Sequence, residues 1–484
     1  MRLRLVFLIL ALAVGAAACG RSGSGGALPL APQAVQKGTS SAKIQHVVIV
    51  IQENRSFDNF FSTFPNADGT TTGKAEAVPK SDDCVYPLTQ ATTVPLTEVD
   101  LLGNGFPKSY GYRNPIDLNH IYHGFQTDWD KKQMDGFDRE GLGANGSSGP
   151  ACTYPYQYVN PNDIAPYWDM AKQYVLSDRT FQDQGSGSFT AHQELIAGGT
   201  DLDSSEALID NPSWFPWGCD GNPSGPHREV TAIIKRGGKV YPLAGPFPCF
   251  TYTSMRDLLD AKSVSWKFYA EKVYKYEAKD PQRGNTAGIW SAFDAIKAVR
   301  YSSEWKTNVT QNNLVFFHDL AKNQLPAVSW ITPDGVNSDH PGDGSDTGPS
   351  WVASIVNAVG QSSYWNSTAV IVLWDDWGGL YDHVPPPEPR TWEGGPGFRV
   401  PLLIVSPYVK PHVEHTVYEF GSILHFIEDN WNLGTLGKND EHSTSLGNAF
   451  DFDMAPRKFK VIPSKYSLKF FLRQKPSGTP PDTQ

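Results

Sequence analysis

Four short runs of unbroken apolar residues punctuate the chain: His46–Ile51, Ala327–Ile331, Thr368–Trp374 and Val400–Val405. Each has the length of a strand and none alternates apolar with polar, so each predicts a strand buried on both faces, as in a parallel sheet. Helical patterns lie between them. Asp257–Ala261, Ile289–Val299 and Ser350–Val359 are three, and Glu419–Asn430 sets Phe420, Ile423, Leu424 and Ile427 on one face. Strands alternating with helices predict an α/β sandwich on a mostly parallel sheet. Ligands in such sheets sit beyond the carboxyl ends of the strands, so the residues just after each run are the candidates for chemistry.

The first run leads into Gln52-Glu53-Asn54-Arg55-Ser56-Phe57-Asp58. The Glu53 carboxylate and Asn54 amide are oxygen donors suited to a hard divalent cation. The same residues equally suit a helix start, with Asn54 or Ser56 as cap and Glu53 favouring the dipole. The third run ends in Asp375-Asp376-Trp377-Gly378-Gly379-Leu380-Tyr381-Asp382-His383. Two adjacent carboxylates at a buried strand end are costly without a positive charge beside them. Gly378-Gly379 allows a tight turn next to a ligand. Polar residues also converge in Asp117–His123, which contains His120, in Asp178–His192, and in Ser338-Asp339-His340-Pro341. Within the second of these, Gly185-Ser186-Gly187-Ser188 opens a helical stretch, Thr190–Ile196, and sets a hydroxyl where backbone N–H groups face an anion. An ordinary serine cap would look the same.

The ends of the chain read differently. Arg2 and Arg4 precede an apolar run, Leu5–Ala18, shorter than the roughly 18 residues of a membrane span and typical of an export signal. Cys19 follows three alanines in a lipobox-like setting, which predicts lipidation there, with membrane attachment through that lipid; plain secretion is the alternative. The organisation predicted is a signal peptide over 1–19, a flexible linker over 20–42, one large domain over 43–474 and a disordered tail over 475–484. The location predicted is periplasmic, cell-surface or secreted. Setting Cys19 aside, Cys84, Cys152, Cys219 and Cys249 form an even set, which in an oxidising compartment predicts two disulfides. Sequential pairing, Cys84–Cys152 and Cys219–Cys249, is preferred over the other two connectivities. The absence of any C-x-x-C pair disfavours a zinc site. The formal charge of -10 argues against a nucleic-acid partner and requires local cations for any phosphate ligand.

Together these stretches resemble the bacterial phosphoesterase family that joins acid phosphatases with non-haemolytic phospholipases C. The pieces "HVVIVIQENRSFDNFF", "DLNHIYH", "QMDGFD", "GSFTAHQ", "LPAVSWITPDGVNSDHPGDG" and "VIVLWDDWGGLYDHVPPP" stand in the family's order. The resemblance implies a three-layer α/β/α sandwich similar to alkaline phosphatases. It places Glu53, Asn54, Asp375 and Asp376 on the positions that bind a divalent metal ion of unstated identity. Ser188 falls on the nucleophile, close to the metal, and His120 and His340 on histidines around the phosphoryl group. His192 falls where phospholipase-type members carry an Arg, and so implies a phosphate contact. Ala191 departs from the Asn that many members have.

The implied reaction is hydrolysis of a phosphate ester or phospholipid through a phosphoserine, with His340 protonating the leaving alcohol. Phospholipase-type relatives usually carry Thr at the nucleophile position, so Ser188 tilts the expectation toward an acid-phosphatase-like phosphomonoesterase. A phospholipase C is the alternative. A sulfatase is disfavoured because no C/S-x-P-x-R setting surrounds Ser188, and a surface lipoprotein retaining only the fold would not need the intact set of polar residues.

Overall fold

The computed structural model describes residues 43–76, 92–102, 117–143, 146, 150–279, 290–341, 345–388 and 395–475. The predicted signal peptide, linker and most of the tail, together with Cys19 and Cys84, lie outside the described residues. Ten strands matter for the site: β1 (His46–Gln52), β2 (Val175–Ser177), β3 (Glu206–Ile209), β4 (Ala232–Lys235), β5 (Lys239–Tyr241), β6 (Trp266–Tyr269), β7 (Val328–Ile331), β8 (Thr368–Trp374), β9 (Leu402–Val405) and β10 (His412–Glu414). Seven of them form the main sheet in the order β6-β7-β1-β8-β9-β2-β10, and β5-β4-β3 form a smaller antiparallel sheet. Five helices are used below: α1 (Phe57–Phe61), α2 (Ala165–Gln173), α3 (Ser188–Ala197), α4 (Gly348–Gly360) and α5 (Phe420–Trp431).

Both faces of the main sheet are covered. Register pairs Ile49 with Trp330, and Gln52 with Trp374. Side chains alternate along a strand, so Trp330 and Trp374 point to opposite faces. Trp330 donates its indole N–H to Leu195 of α3 (3.1 Å), whereas Trp374 packs edge-on against Tyr167 of α2 at 4.8 Å. Helices therefore flank the sheet on both sides, and β1 and β8 are buried along nearly their whole length. This is the expected α/β sandwich. The α4 stretch extends slightly beyond its predicted ends, and α5 starts one residue later than expected.

Two expectations need correction. The Val400–Val405 run forms β9, but it runs antiparallel to both β8 and β2. An apolar run specifies burial and not direction. The 375–401 connection contains no helix among the described residues, so the chain simply turns back instead of crossing over. The Ile289–Val299 pattern is also no single helix. Ala292–Ala295 is a 3-10 turn and Lys297–Arg300 a short helix, separated by Ile296 in extended conformation. Ile296 pairs with Phe250 as an isolated β-bridge, which pulls its backbone out of helical geometry.

Cys219 and Cys249 form a disulfide, as the sequence predicts. Cys152 is also disulfide-bonded; its expected partner, Cys84, lies outside the described residues. No helix among the described residues is long and apolar enough to cross a membrane.

Candidate active site

The loops after β1 and β8 emerge side by side because those strands pair in parallel through Gln52 and Trp374. Asn54 takes a left-handed backbone (φ 56°), a conformation that Asn tolerates better than most residues. This turns its N–H onto Asp375 Oδ1 (3.0 Å), which also accepts the Asp376 N–H (2.8 Å). Gly378 (φ 63°) packs on Asn54: a Cβ there would stand 2.6 Å from the Asn54 carbonyl oxygen. The two loops thus interlock, and Gly378 is required by contact as well as by backbone angle.

Helix α3 brings the remaining groups. Ser188 is its first residue, and Oγ donates to Asp376 Oδ2 at 3.0 Å. Asp376 Oδ1 is held by the Gly378 N–H (2.7 Å), which fixes the carboxylate that meets the hydroxyl. Thr190, the neighbouring hydroxyl, donates back to the Gly187 carbonyl (2.9 Å) and is committed to its own helix. One turn after Ser188, His192 Nε2 lies 2.9 Å from Glu53 Oε1 and 3.6 Å from Asp375 Oδ2. Donor atoms of Glu53, His192 and Asp375 all fall within 4.8 Å of one another. Burial opposes the charge of Asp375, but His192, Glu53 and the Asn54 N–H outweigh it and hold its pKa down at about 2.

The histidines divide by role. His120 Nδ1 meets the Leu118 carbonyl at 2.7 Å, so that nitrogen carries the proton. Nε2 then accepts from Asn54 Nδ2 at 3.2 Å, which leaves Asn54 Oδ1 turned elsewhere, buried and without a hydrogen-bond partner. His340 Nδ1 faces its neighbour's carbonyl, Pro341 O (2.7 Å), and Nε2 is buried and unpartnered. The His120 and His340 rings stand 6.2 Å apart. The structure therefore gathers Glu53, Asn54, Asp375, Asp376, Ser188 and His192 in one cluster, with His120 and His340 beside it. His192 departs from its expected place: its Nε2 is directed to carboxylates and not to an open phosphate position.

Three supports take their role from partners that the sequence did not single out. Asp210 Oδ1 accepts the Tyr122 N–H (2.7 Å) and the Ser186 hydroxyl (3.2 Å), and burial raises its pKa to about 6. Asn211 Oδ1 accepts the Phe189 N–H at 3.0 Å. Both come after β3, far from Ser188 in sequence, and fix the Gly185–Ser188 turn. The third is a buried network one step further along the same two loops. Arg399 contacts Asp382 through Nε (2.9 Å) and Nη2 (3.1 Å), while His383 Nδ1 lies 2.7 Å from Asp58 Oδ2. This is where the structure places Asp382 and His383. An isolated Asp or Arg is too common for any of the three to stand out without its partners.

A model of the phosphoesterase family matches residues 44–434. The chain belongs to the phosphoesterase family. Among curated relatives, phospholipase C B of Mycobacterium tuberculosis is 26% identical over 477 residues, spanning 88% of this chain and 80% of that one. Non-hemolytic phospholipase C of Pseudomonas aeruginosa is 25% identical over 81% of this chain, but only 54% of its own length is matched. A solved Vibrio parahaemolyticus protein of the alkaline phosphatase superfamily aligns over 57% of this chain and 63% of its own, at 12% identity and a TM-score of 0.32. Family membership makes this chain a hydrolase of phosphoric esters. The relatives are phospholipases C, which favours the alternative reading of the sequence over the acid-phosphatase one.

Proposed function

We propose that the chain is an exported, metal-dependent phosphodiesterase of the phospholipase C type, working through Ser188. The observation that carries this is the Ser188–Asp376 hydrogen bond beside buried oxygens, Asn54 Oδ1 and Asp375 Oδ2, that lack hydrogen-bond partners. Such oxygens are costly in a protein interior, and an oxygen-rich set with one imidazole fits a hard divalent cation. Glu53, Asn54, Asp375 and Asp376 would hold it, with His192 and Ser188 adjoining. A bound cation would neutralise phosphoryl charge and favour the ionised serine hydroxyl.

The chain's own groups account for the proton movements. Asp376 Oδ2 orients Ser188 Oγ and takes its proton as Oγ attacks phosphorus. The bond from phosphorus to the glycerol oxygen breaks, and that oxygen takes the Nε2 proton of a doubly protonated His340, whose Nδ1–H stays on the Pro341 carbonyl. Water then attacks phosphorus and gives a proton to His340 Nε2, while the bond to Ser188 Oγ breaks and Oγ takes its proton back from Asp376 Oδ2, which releases the phosphorylated headgroup. Phe189, Trp217, Trp290 and Ala292 wall the small cavity beside Ser188, whose free volume of about 10 Å³ is that of a single water. The lipid choice rests on the phospholipase C relatives. The serine at 188 favours a phosphomonoesterase instead, by resemblance to phosphatase-type members. Turnover of p-nitrophenyl phosphorylcholine against p-nitrophenyl phosphate, with elemental analysis of the same sample, separates the two. Preference for the monoester would overturn the phospholipase reading. Export and a lipid on Cys19 are inferred from the leader, and mass spectrometry of the mature N-terminus tests them.

A further inference from the structure

The chain beyond Arg457 lies along α4 in the opposite direction. Ile462 exchanges two hydrogen bonds with the Asn357 side chain (2.8 and 2.9 Å), and the Tyr466 N–H reaches Ser350 Oγ at 3.2 Å. The stretch then closes in one helical turn, Leu468–Phe471, whose geometry continues through the bonds from Leu472 N–H to the Leu468 carbonyl (3.0 Å) and from Gln474 N–H to the Phe470 carbonyl (3.1 Å). Phe471 is buried and anchors the turn in the core. Gln474 Oε1 accepts from Asn337 Nδ2 (3.0 Å), and the Asn337 carbonyl accepts from Gln52 Nε2 (3.2 Å). Gln52 ends β1 directly before Glu53, and its Oε1 accepts the N–H of Asp339, the neighbour of His340 (3.1 Å). The turn is thus tied to two of the loops that build the Ser188 site.

The outer face of this turn is cationic and apolar at once. From Ala455 to Lys475 the sequence holds seven basic residues and no carboxylate, on a chain of formal charge -10. Two of the seven are committed: Arg457 Nη1 donates to the carbonyls of Gln173 and Val409 (2.9 Å each), and Lys465 is ion-paired with Asp346. Lys469 and Arg473 are exposed, and neither has an ion-pair partner among the described residues. Spaced four apart, they stand on one face of the turn as two unpaired like charges, which repel. At about 100° per residue, Leu472, Lys469, Arg473 and Phe470 follow one another around the side opposite Phe471. Phe470 (40% exposed) and Leu472 (52%) therefore flank the cations; with Val461 they make up half of the large apolar side chains exposed among the described residues. Ser467, Lys469, Phe470, Arg473 and Gln474 line a recess of about 450 Å³. The carboxylates nearest in the hydrogen-bond network are already engaged. Asp334 Oδ1 accepts from Asn337 Nδ2 (2.5 Å), and Asp346 holds Lys465 and the Tyr466 hydroxyl (2.9 Å). On the Lys465 side a separate cleft is lined by Asp100, Asp163, Asp169 and Asp346, which bounds the cationic face there.

An unpaired cation pair between two exposed apolar side chains fits a partner that offers phosphate oxygens and hydrocarbon side by side. A bilayer containing anionic lipids does so: Phe470 and Leu472 enter the headgroup boundary while the cations meet lipid phosphates. A soluble polyanion would leave both apolar side chains in water. We propose that this C-terminal turn, through Lys469, Phe470, Leu472 and Arg473, docks the enzyme on an anionic lipid surface, and that the Gln474–Asn337 bond sets the contact beside the loop that carries His340. The proposal rests on the phospholipase C reading and adds the surface by which the substrate is reached. The acidic cleft beyond Lys465 orients the contact, because it is repelled by the same surface that attracts the turn.

The test uses the mature chain from residue 19 with Cys19→Ser, so that neither the leader nor a lipid anchor contributes, in flotation with vesicles. Vesicles of phosphatidylcholine with half phosphatidylglycerol should carry the protein up, and pure phosphatidylcholine vesicles should do so far less, with binding falling as salt rises. Lys469→Glu with Arg473→Glu should lower the partition coefficient by about thirtyfold or more. Phe470→Ala with Leu472→Ala should lower it by about tenfold. An unchanged Tm would show that each variant folds, and Leu472→Ala alone takes the place of the apolar pair if that pair lowers Tm. All should keep turnover of soluble p-nitrophenyl phosphorylcholine. Variants that bind anionic vesicles as well as the parent would overturn the proposal, as would equal binding to pure phosphatidylcholine or a parent that ignores vesicles while hydrolysing the soluble ester. Vesicle binding that depends on these four residues, in a protein inert toward the soluble diester, would support the docking surface and reject the catalytic reading.

Discussion

Two buried clusters built from the same pair of loops behave in opposite ways. Glu53, His192 and Asp375 form one; Asp58, Asp382 and His383 form the other, a few residues further along both loops. In the second, the chain supplies its own cation. Arg399 is fully buried and contacts both Asp382 and Asp58, and its Nη1 donates to the carbonyls of Asp68 and Asp178 (2.8 Å each). Burial raises the Asp382 pKa despite Arg399, while the bond to Asp58 raises His383 against its own burial. In the first cluster, His192 approaches from one side, yet Asn54 Oδ1 and Asp375 Oδ2 keep no hydrogen-bond partner. Buried acidity alone therefore does not mark a metal site. What separates the two is whether the fold already contains the counter-charge.

The largest effect should come from Ser188, the proposed nucleophile, next to the cation-poor cluster. Ser188→Ala is expected to lower kcat on p-nitrophenyl phosphorylcholine by about a thousandfold or more, with the fold unchanged by circular dichroism. Near-native turnover would remove Ser188 from the mechanism. Asp375→Asn with Asp376→Asn should strip the metal found by elemental analysis and abolish turnover, as should chelation, while leaving Tm close to the parent's apo form. A chelated protein at full activity would erase the distinction between the clusters.

The second cluster should answer in stability. Arg399→Met leaves Asp382 and Asp58 buried without their cation, and should cost about 3–5 kcal/mol in urea unfolding. The variant that still folds should retain its metal. If it loses metal as readily as the aspartate variants, the clusters form one unit.

A smaller effect is expected at His120. Because its Nε2 accepts from Asn54, His120→Ala should weaken Mn²⁺ binding by about 10- to 100-fold in calorimetry. Unchanged affinity with a fall in kcat would return His120 to the phosphoryl group alone.

The smallest concerns neither cluster. Glu428 on α5 has its pKa raised to about 9 by burial and by the Asp440 charge. A folded pKa above the unfolded one gives a contribution present below about pH 4.5 and lost as pH rises toward 9. Tm of Glu428→Gln should therefore decline less than the parent's across that range; parallel Tm profiles would exclude the effect.

The strands and the residues at their ends were readable because both are local. Unbroken apolar runs mark β1, β7 and β8 to within a residue or so, and Glu53-Asn54 and Asp375-Asp376 stand directly after two of them. Roles were less readable. His192 looked like a phosphate contact, yet it meets Glu53, a residue 139 positions away. Asp210, Asn211 and Arg399 carried no signal, since each matters only through a partner remote in the chain.

By itself the sequence determined which segments must be buried, which strand ends carry oxygen donors, that Ser188 opens a helix, and which family the motifs resemble. Those come from periodicity and from short-range chemistry, which need no neighbours. Tertiary structure alone decided the direction of β9, the pairing of Ser188 with Asp376, the turning of Asn54 by His120, and the supply of Arg399 to one carboxylate cluster and not the other. Each depends on groups distant in the chain brought within hydrogen-bond reach, and the sign of a buried charge's energy is set by that neighbour and not by the residue itself.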